Sequence, residues 1–181
     1  MCNNVVILNF SGRKTGNCAE IDRYIQEYHK NANILSQNVG ECWSPCGGCD
    51  YECLKPGTSC PILNDRQRQV MDAALQADIL YFIVPNYCGF PSANFYAYNE
   101  RSVGYFNMDR VKLKQYMDIP KKFIIVSNTE NPAFEQAMQQ QSKEPDILYL
   151  KTSAYQKKSI AGDLLTNEKA QLDLKAFLDK E

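Results

Sequence analysis

Apolar residues fall in five short runs separated by segments of helical spacing. The runs are VVILNF (5–10), ANIL (32–35), ILYFIVP (79–85), FIIVSN (123–128) and ILYL (147–150). The first, third and fourth are continuous and rich in branched residues, the pattern of parallel strands buried on both faces. The second and fifth are shorter and more polar, as sheet edges are. Between the runs, Ile21, Tyr24, Ile25 and Tyr28 recur at i, i+3, i+4 and i+7, with Asp22, Arg23, Gln26 and Glu27 on the other face. Val70, Met71 and Ala74 follow an Asn64-Asp65 start, where Asp65 reads as a helix cap. Asn131 reads as a cap with Pro132 at the first helical position, and Phe134, Ala137 and Met138 line one face. Ala170, Leu174, Phe177 and Leu178 form the last stripe.

Strand and helix alternating in this way predict an open parallel α/β sheet. With right-handed crossovers and five strands, the economical arrangement is a flavodoxin-like three-layer sandwich with strand order 2-1-3-4-5. One domain is expected over 1–181, with a cysteine-rich loop at about 40–63. Two connections exceed the usual two to six residues, 39–63 and 102–121, and long connections in a compact domain usually carry function. The chain has no internal repeat and no low-complexity tract.

Charge narrows the function. Twenty Lys and Arg face twenty-one Asp and Glu, a formal net charge of −1, and no long segment is dominated by one sign. Neither a nucleic-acid groove nor a membrane-surface patch is expected. The opening MCNNVVILNF has no basic leader, so a cytoplasmic setting is expected, where clustered cysteines more often bind metal or do redox chemistry than form disulfides.

In such a sheet, ligands bind beyond the carboxyl ends of the strands where strand order reverses. The turn there is SGRKTGNC (11–18). Ser11 and Thr15 offer hydroxyls, Arg13 a forked cation, and Gly12 and Gly16 a tight backbone. The N–H groups of Asn17, Cys18 and Ala19 open the first helix, where the dipole favours negative charge. The turn lacks both the three-glycine dinucleotide fingerprint and the P-loop ending, so a monophosphate fits it best; the plainer alternative is a polar turn with a helix cap. A second loop, PNYCGFPSANF (85–95), offers the flat faces of Tyr87 and Phe90 and the N–H groups of 86–89 to a planar heterocycle. SNTEN (127–131) is the third. For any one aromatic here, core packing is the competing reading.

These residues resemble the NAD(P)H-dependent FMN reductase family of flavodoxin-like proteins, and within it the iron–sulfur flavoproteins. The family's first turn, G-S-P-R-x-x-G-N-T, is matched by Ser11, Arg13, Gly16 and Asn17, with Gly12 in place of proline and Cys18 in place of threonine. Its second motif, S-P-x-Y-x-x-x-x-S-A, is matched in VPNYCGFPSA by Pro85, Tyr87, Ser92 and Ala93. The resemblance implies FMN at the strand ends. Its phosphate would lie on Ser11, Arg13, Thr15, Gly16, Asn17 and Cys18, and its ring beside Pro85, Asn86, Tyr87, Cys88 and Gly89, with Ser127 and Asn128 nearby. It further implies NAD(P)H as electron donor, an unidentified electron acceptor, and a homodimer or homotetramer. The only histidine, His29, reads as a surface residue, so a Ser-His-Asp hydrolase is not expected.

The stretch PCGGCDYECLKPGTSC spaces its cysteines as Cys46-x2-Cys49-x3-Cys53-x6-Cys60. The resemblance implies a [4Fe-4S] cluster on these four thiolates, although cluster-bearing relatives carry x2 in the second gap. The alternatives are unmetallated thiols shaping the flavin site, zinc, or disulfides. Cys42 is a substitute ligand in either metal scheme.

Overall fold

In the computed structural model, which describes residues 3–39, 46–47, 49–62, 66–106 and 109–180, the three apolar runs form the centre of a parallel sheet. β1 (Asn4–Asn9) pairs with β2 (Asn33–Asn38) on one side and with β3 (Ile79–Tyr87) on the other. β3 pairs with β5 (Lys121–Ser127), and β5 with the edge strand β6 (Asp146–Lys151). Every residue of β5 is buried, as are the first seven of β3, which accounts for the unbroken apolar runs 79–85 and 123–126. The two polar runs are the edges, as expected.

The five parallel strands stand side by side as predicted, but a further strand interrupts the count. β4 (Phe90–Pro91) turns back antiparallel on the end of β3, so the sheet order is β2-β1-β3-β5-β6 in place of 2-1-3-4-5. The cause is local. Cys88 (φ +54°) and Gly89 (φ +89°) both take left-handed backbone, the requirement of a two-residue type I′ hairpin.

Six α-helices lie among the described residues: α1 (Asn17–Tyr28), α2 (Arg66–Ala74), α3 (Ala93–Phe106), α4 (Arg110–Asp118), α5 (Pro132–Met138) and α6 (Glu168–Leu178). The stripe of α6 is buried as predicted, and Asn131 caps α5 by accepting the Ala133 N–H at 2.9 Å. The predicted long connection at 102–121 is instead the end of α3 and the whole of α4. Tyr116 is the only buried residue of α4, so no apolar stripe announces that helix. The Asn64-Asp65 start of α2, Cys2 and Cys42 lie outside the described residues.

Two cores sandwich the sheet. Phe10, Phe82, Phe95, Tyr98 and Phe123 pack on one face with α2, α3, α4 and α5. Ile7, Ile21, Ile25, Tyr81, Leu174 and Phe177 fill the other beneath α1 and α6. Because β1, β3 and β5 run parallel, their carboxyl ends lie at one rim.

Candidate functional site

Three loops meet at that rim. The first turn leaves β1 and is tied to β3, since the Phe10 N–H donates to Ile83 O at 2.9 Å. Ser92 Oγ donates to Phe10 O at 2.9 Å, which draws the segment after the hairpin against the same turn. Asn86 Nδ2 reaches across to Ser127 Oγ at 2.6 Å and joins the second and third loops.

Within the first turn, Ser11 N–H donates to Asn9 Oδ1 at 3.0 Å and Arg13 N–H to Ser11 Oγ at 3.1 Å. Ser11 is buried, so its hydroxyl shapes the turn from within, while Gly12, Arg13 and Thr15 are exposed. Gly16 (φ +117°) is the N-cap of α1, and no side chain caps that helix. A helix start without a cap leaves its first N–H groups to be satisfied by solvent or an anion. Cys18 lies buried beneath the turn. Burial pushes its thiol up to about 12 against the opposing pull of Arg13 and Ser11, which keeps it neutral.

Above the turn, β3 outruns its neighbours. Its pairing with β1 ends at Ile83 and with β5 at Pro85, so Asn86 and Tyr87 pair only with β4. Tyr87 and Phe90 face each other across the hairpin at 48% and 55% exposure, unlike the buried core aromatics, and they are surfaces rather than packing. Cys88 is an exposed free thiol at the tip. The Gly89 N–H donates to Asn86 Oδ1 at 2.8 Å, and Asn131 Nδ2 donates to Gly89 O at 2.6 Å. These bonds occupy the Gly89 N–H and carbonyl and tie the hairpin to the third loop.

In the third loop, Ser127 is buried and its hydroxyl bonds both to Asn86 and to the backbone of Thr129. Asn128 Oδ1 accepts from Thr152 Oγ1, and its Nδ2 donates to Ser159 Oγ at 3.2 Å. Asn17, expected on the phosphate, is 4% exposed and bonded to backbone atoms of residues 159 and 164. Those contacts come from a segment with no hydrophobic period, and sequence pattern gave no signal of it.

The cysteines lie elsewhere. Cys53 is buried, Cys46, Cys49 and Cys60 are more open, and all four are free thiols. Burial raises the Cys53 thiol, and Cys60, Cys46 and Cys49 raise it further, so the four sulfurs share one electrostatic neighbourhood. Cys53 and Cys60 rest on Gly104 of α3. A Cβ there would lie 2.9 Å from Cys60 Sγ and 3.9 Å from Cys53 Cβ. Gly104 is about 16 Å along the helix from Ala93 at the rim. The seat of Cys53 and Cys60 therefore lies along α3, away from the start of that helix. Among the described residues, no group of three or more His, Cys, Asp or Glu side chains is placed to hold a metal ion. The described arrangement does not fit the [4Fe-4S] cluster or zinc, and no chemistry is routed through either.

His29 is half-buried, not a free surface group. Its Nε2 lies 2.8 Å from the hydroxyl of buried Tyr81, and burial lowers its pKa, with Lys122 adding to the effect.

No protein-family profile matches the chain, and no curated protein matches its sequence. Solved structures do match, and they define the class of protein: a flavodoxin-like α/β fold. The chain is similar to the Trp repressor binding protein from Bacillus subtilis, with a TM-score of 0.62, 15% identity, and coverage of 98% of this chain and 99% of that one. It is similar to an NADH:FMN oxidoreductase, EMOB, in its apo form, with a TM-score of 0.54, 10% identity, and 97% and 88% coverage. It is also similar to FerB, a flavoenzyme NAD(P)H:(acceptor) oxidoreductase from Paracoccus denitrificans, with a TM-score of 0.54, 12% identity, and 99% and 96% coverage. The structural neighbours thus include flavin-dependent nicotinamide oxidoreductases. No helix among the described residues is long and apolar enough to cross a membrane.

Proposed function

We propose that this chain is an FMN-dependent NAD(P)H oxidoreductase, with the flavin seated on the rim where the three loops meet. The observation that carries the reading is the uncapped start of α1 beside Arg13, set below the exposed Tyr87–Phe90 hairpin. An anion seat and a flat apolar surface at one rim suit a phosphorylated planar heterocycle. FMN, when bound, supplies hydride acceptance from the nicotinamide and onward electron transfer. The protein's part is to hold and orient. The first N–H groups of α1 and the Arg13 guanidinium bind phosphate, Asn86 and Asn131 fix the hairpin, and Tyr87 and Phe90 exclude water from the ring. The neutral thiol of Cys18 adds no charge against the phosphate.

The named activities of the neighbours support this reading. A homodimer or homotetramer is a proposal drawn from the family resemblance alone. The test is titration of flavin-free protein with FMN, read as quenching of flavin fluorescence. Oxidation of NADH and NADPH is then assayed with a quinone or free flavin as acceptor. Saturable binding with nicotinamide oxidation is expected. Absence of FMN binding overturns the reading, and binding without oxidation by any acceptor overturns the enzymatic part.

A further inference from the structure

Segment 157–164, after β6, lies against the first turn. Asn17 grips it at two points: Nδ2 donates to Ser159 O at 3.1 Å, and Oδ1 accepts the Leu164 N–H at 3.0 Å. Arg13 Nη2 donates to Ile160 O at 3.2 Å. Gly162 (φ +77°) touches the turn itself, since a Cβ there would lie 3.0 Å from Gly16 Cα. Only glycine allows both that backbone and that approach. Asn128 of the third loop holds Ser159 Oγ from the other side at 3.2 Å. The Lys157 ammonium closes the segment on itself, through Asp163 at 3.0 Å and Thr166 at 2.7 Å.

We propose that 157–164 is a fourth wall of the candidate site and that Asn17 is the positioning residue that holds it. Arg13 is then the first-turn side chain that meets the anion. Both ends of the Asn17 amide are committed to backbone of the segment. Arg13 spends one of a guanidinium's five donors on Ile160 O, which orients the fork and leaves the others for phosphate oxygens. The Asn17 side chain acts on the ligand only through Ile160 and Arg13. The identity of the ligand rests on the FMN reading; the clamp does not.

The experiment compares wild type, Asn17→Ala and Gly162→Ala. Hydrogen exchange at the Leu164 amide and tryptic nicking after Lys157 and Lys158 report the segment, and FMN titration reports the site. Faster Leu164 exchange and nicking are expected in both variants, by about tenfold, the size of one lost net hydrogen bond. FMN binding should weaken by a similar factor, and FMN should slow nicking of wild type. If Asn17→Ala weakens FMN without altering Leu164 exchange, Asn17 contacts the ligand and the proposal fails. It fails equally if Gly162→Ala frees the segment and FMN affinity is unchanged. Should wild type bind no FMN, the functional reading falls by itself. Inorganic phosphate then replaces FMN in the nicking assay, where protection of wild type but not of Asn17→Ala supports the clamp and no protection overturns it.

Discussion

Lys121 and Lys122, consecutive on β5, reach to opposite faces of the sheet and each closes the C-terminal end of a helix. Lys121 Nζ donates to Tyr116 O at 2.5 Å and Ile119 O at 2.9 Å, at the end of α4. Lys122 Nζ donates to Phe177 O at 2.6 Å, Leu178 O at 3.3 Å and Lys180 O at 2.6 Å, at the end of α6. The last carbonyls of a helix lack intrahelical partners and carry its negative pole, so a buried ammonium satisfies both. Strand alternation sends the two side chains apart and lets one dipeptide anchor both outer layers.

Lys122→Met keeps the length of the side chain and removes its donors. A loss of about 2 kcal/mol is expected, the range for hydrogen bonds from a charged group, with fraying confined to the end of α6. Chemical denaturation measures the first and amide exchange at 175–180 the second.

Lys121 gives a pH signature. Burial lowers its pKa from 10.5 to about 8. Between those values the unfolded chain holds a proton that the folded chain lacks, so this group makes stability rise with pH from about 8 to 10.5. Lys121→Met should flatten the rise. Tyr98, Tyr105 and Tyr116 act oppositely, because burial raises their pKa values above 10 and stability must fall as pH climbs past that point. Melting temperatures at pH 7.5, 9 and 11 for both proteins separate the two effects.

Gly104→Ala tests the thiol cluster's seat. Alanine gains about 1 kcal/mol of helix propensity. Its Cβ, however, would sit 2.9 Å from Cys60 Sγ and 3.0 Å from Cys60 Cβ. Overpacking of about 1–3 kcal/mol should win and displace the loop. Faster reaction of Cys53 and Cys60 with an aromatic disulfide reagent is the readout. An unchanged rate with raised stability would mean the loop does not rest on α3.

Arg13→Ala removes one of the two exposed cations of the first turn. FMN affinity should fall by about ten- to a hundredfold, the range for charge-assisted hydrogen bonds, and its salt dependence should weaken. Affinity for riboflavin, which lacks the phosphate, should change little. Titrations with both ligands at two salt concentrations check this.

The sheet was legible because the middles of β3 and β5 are buried on both faces and are apolar without a break. The first turn was legible because tight backbone, a fork cation and a helix start follow one strand directly. Other features depend on contacts that no local pattern encodes. The start of α3 was read as ligand loop because Gly89, Pro91 and Ser92 punctuate it, although Phe95 and Tyr98 are core. Nothing in the local sequence singles out Lys121 and Lys122, since only the folded chain brings helix ends to them. Asn17 has ligand chemistry and is spent on residues far away in sequence. The seat of Cys53 and Cys60 is set by Gly104, another distant residue.

The overhang of β3 beyond its neighbours has an evolutionary corollary. Because Tyr87 through Pro91 share no ladder with β1 or β5, insertions or exchanges there leave the registry of the other strands intact. Relatives could diversify what approaches the rim by rewriting a handful of codons, while the foundation beneath stays unaltered.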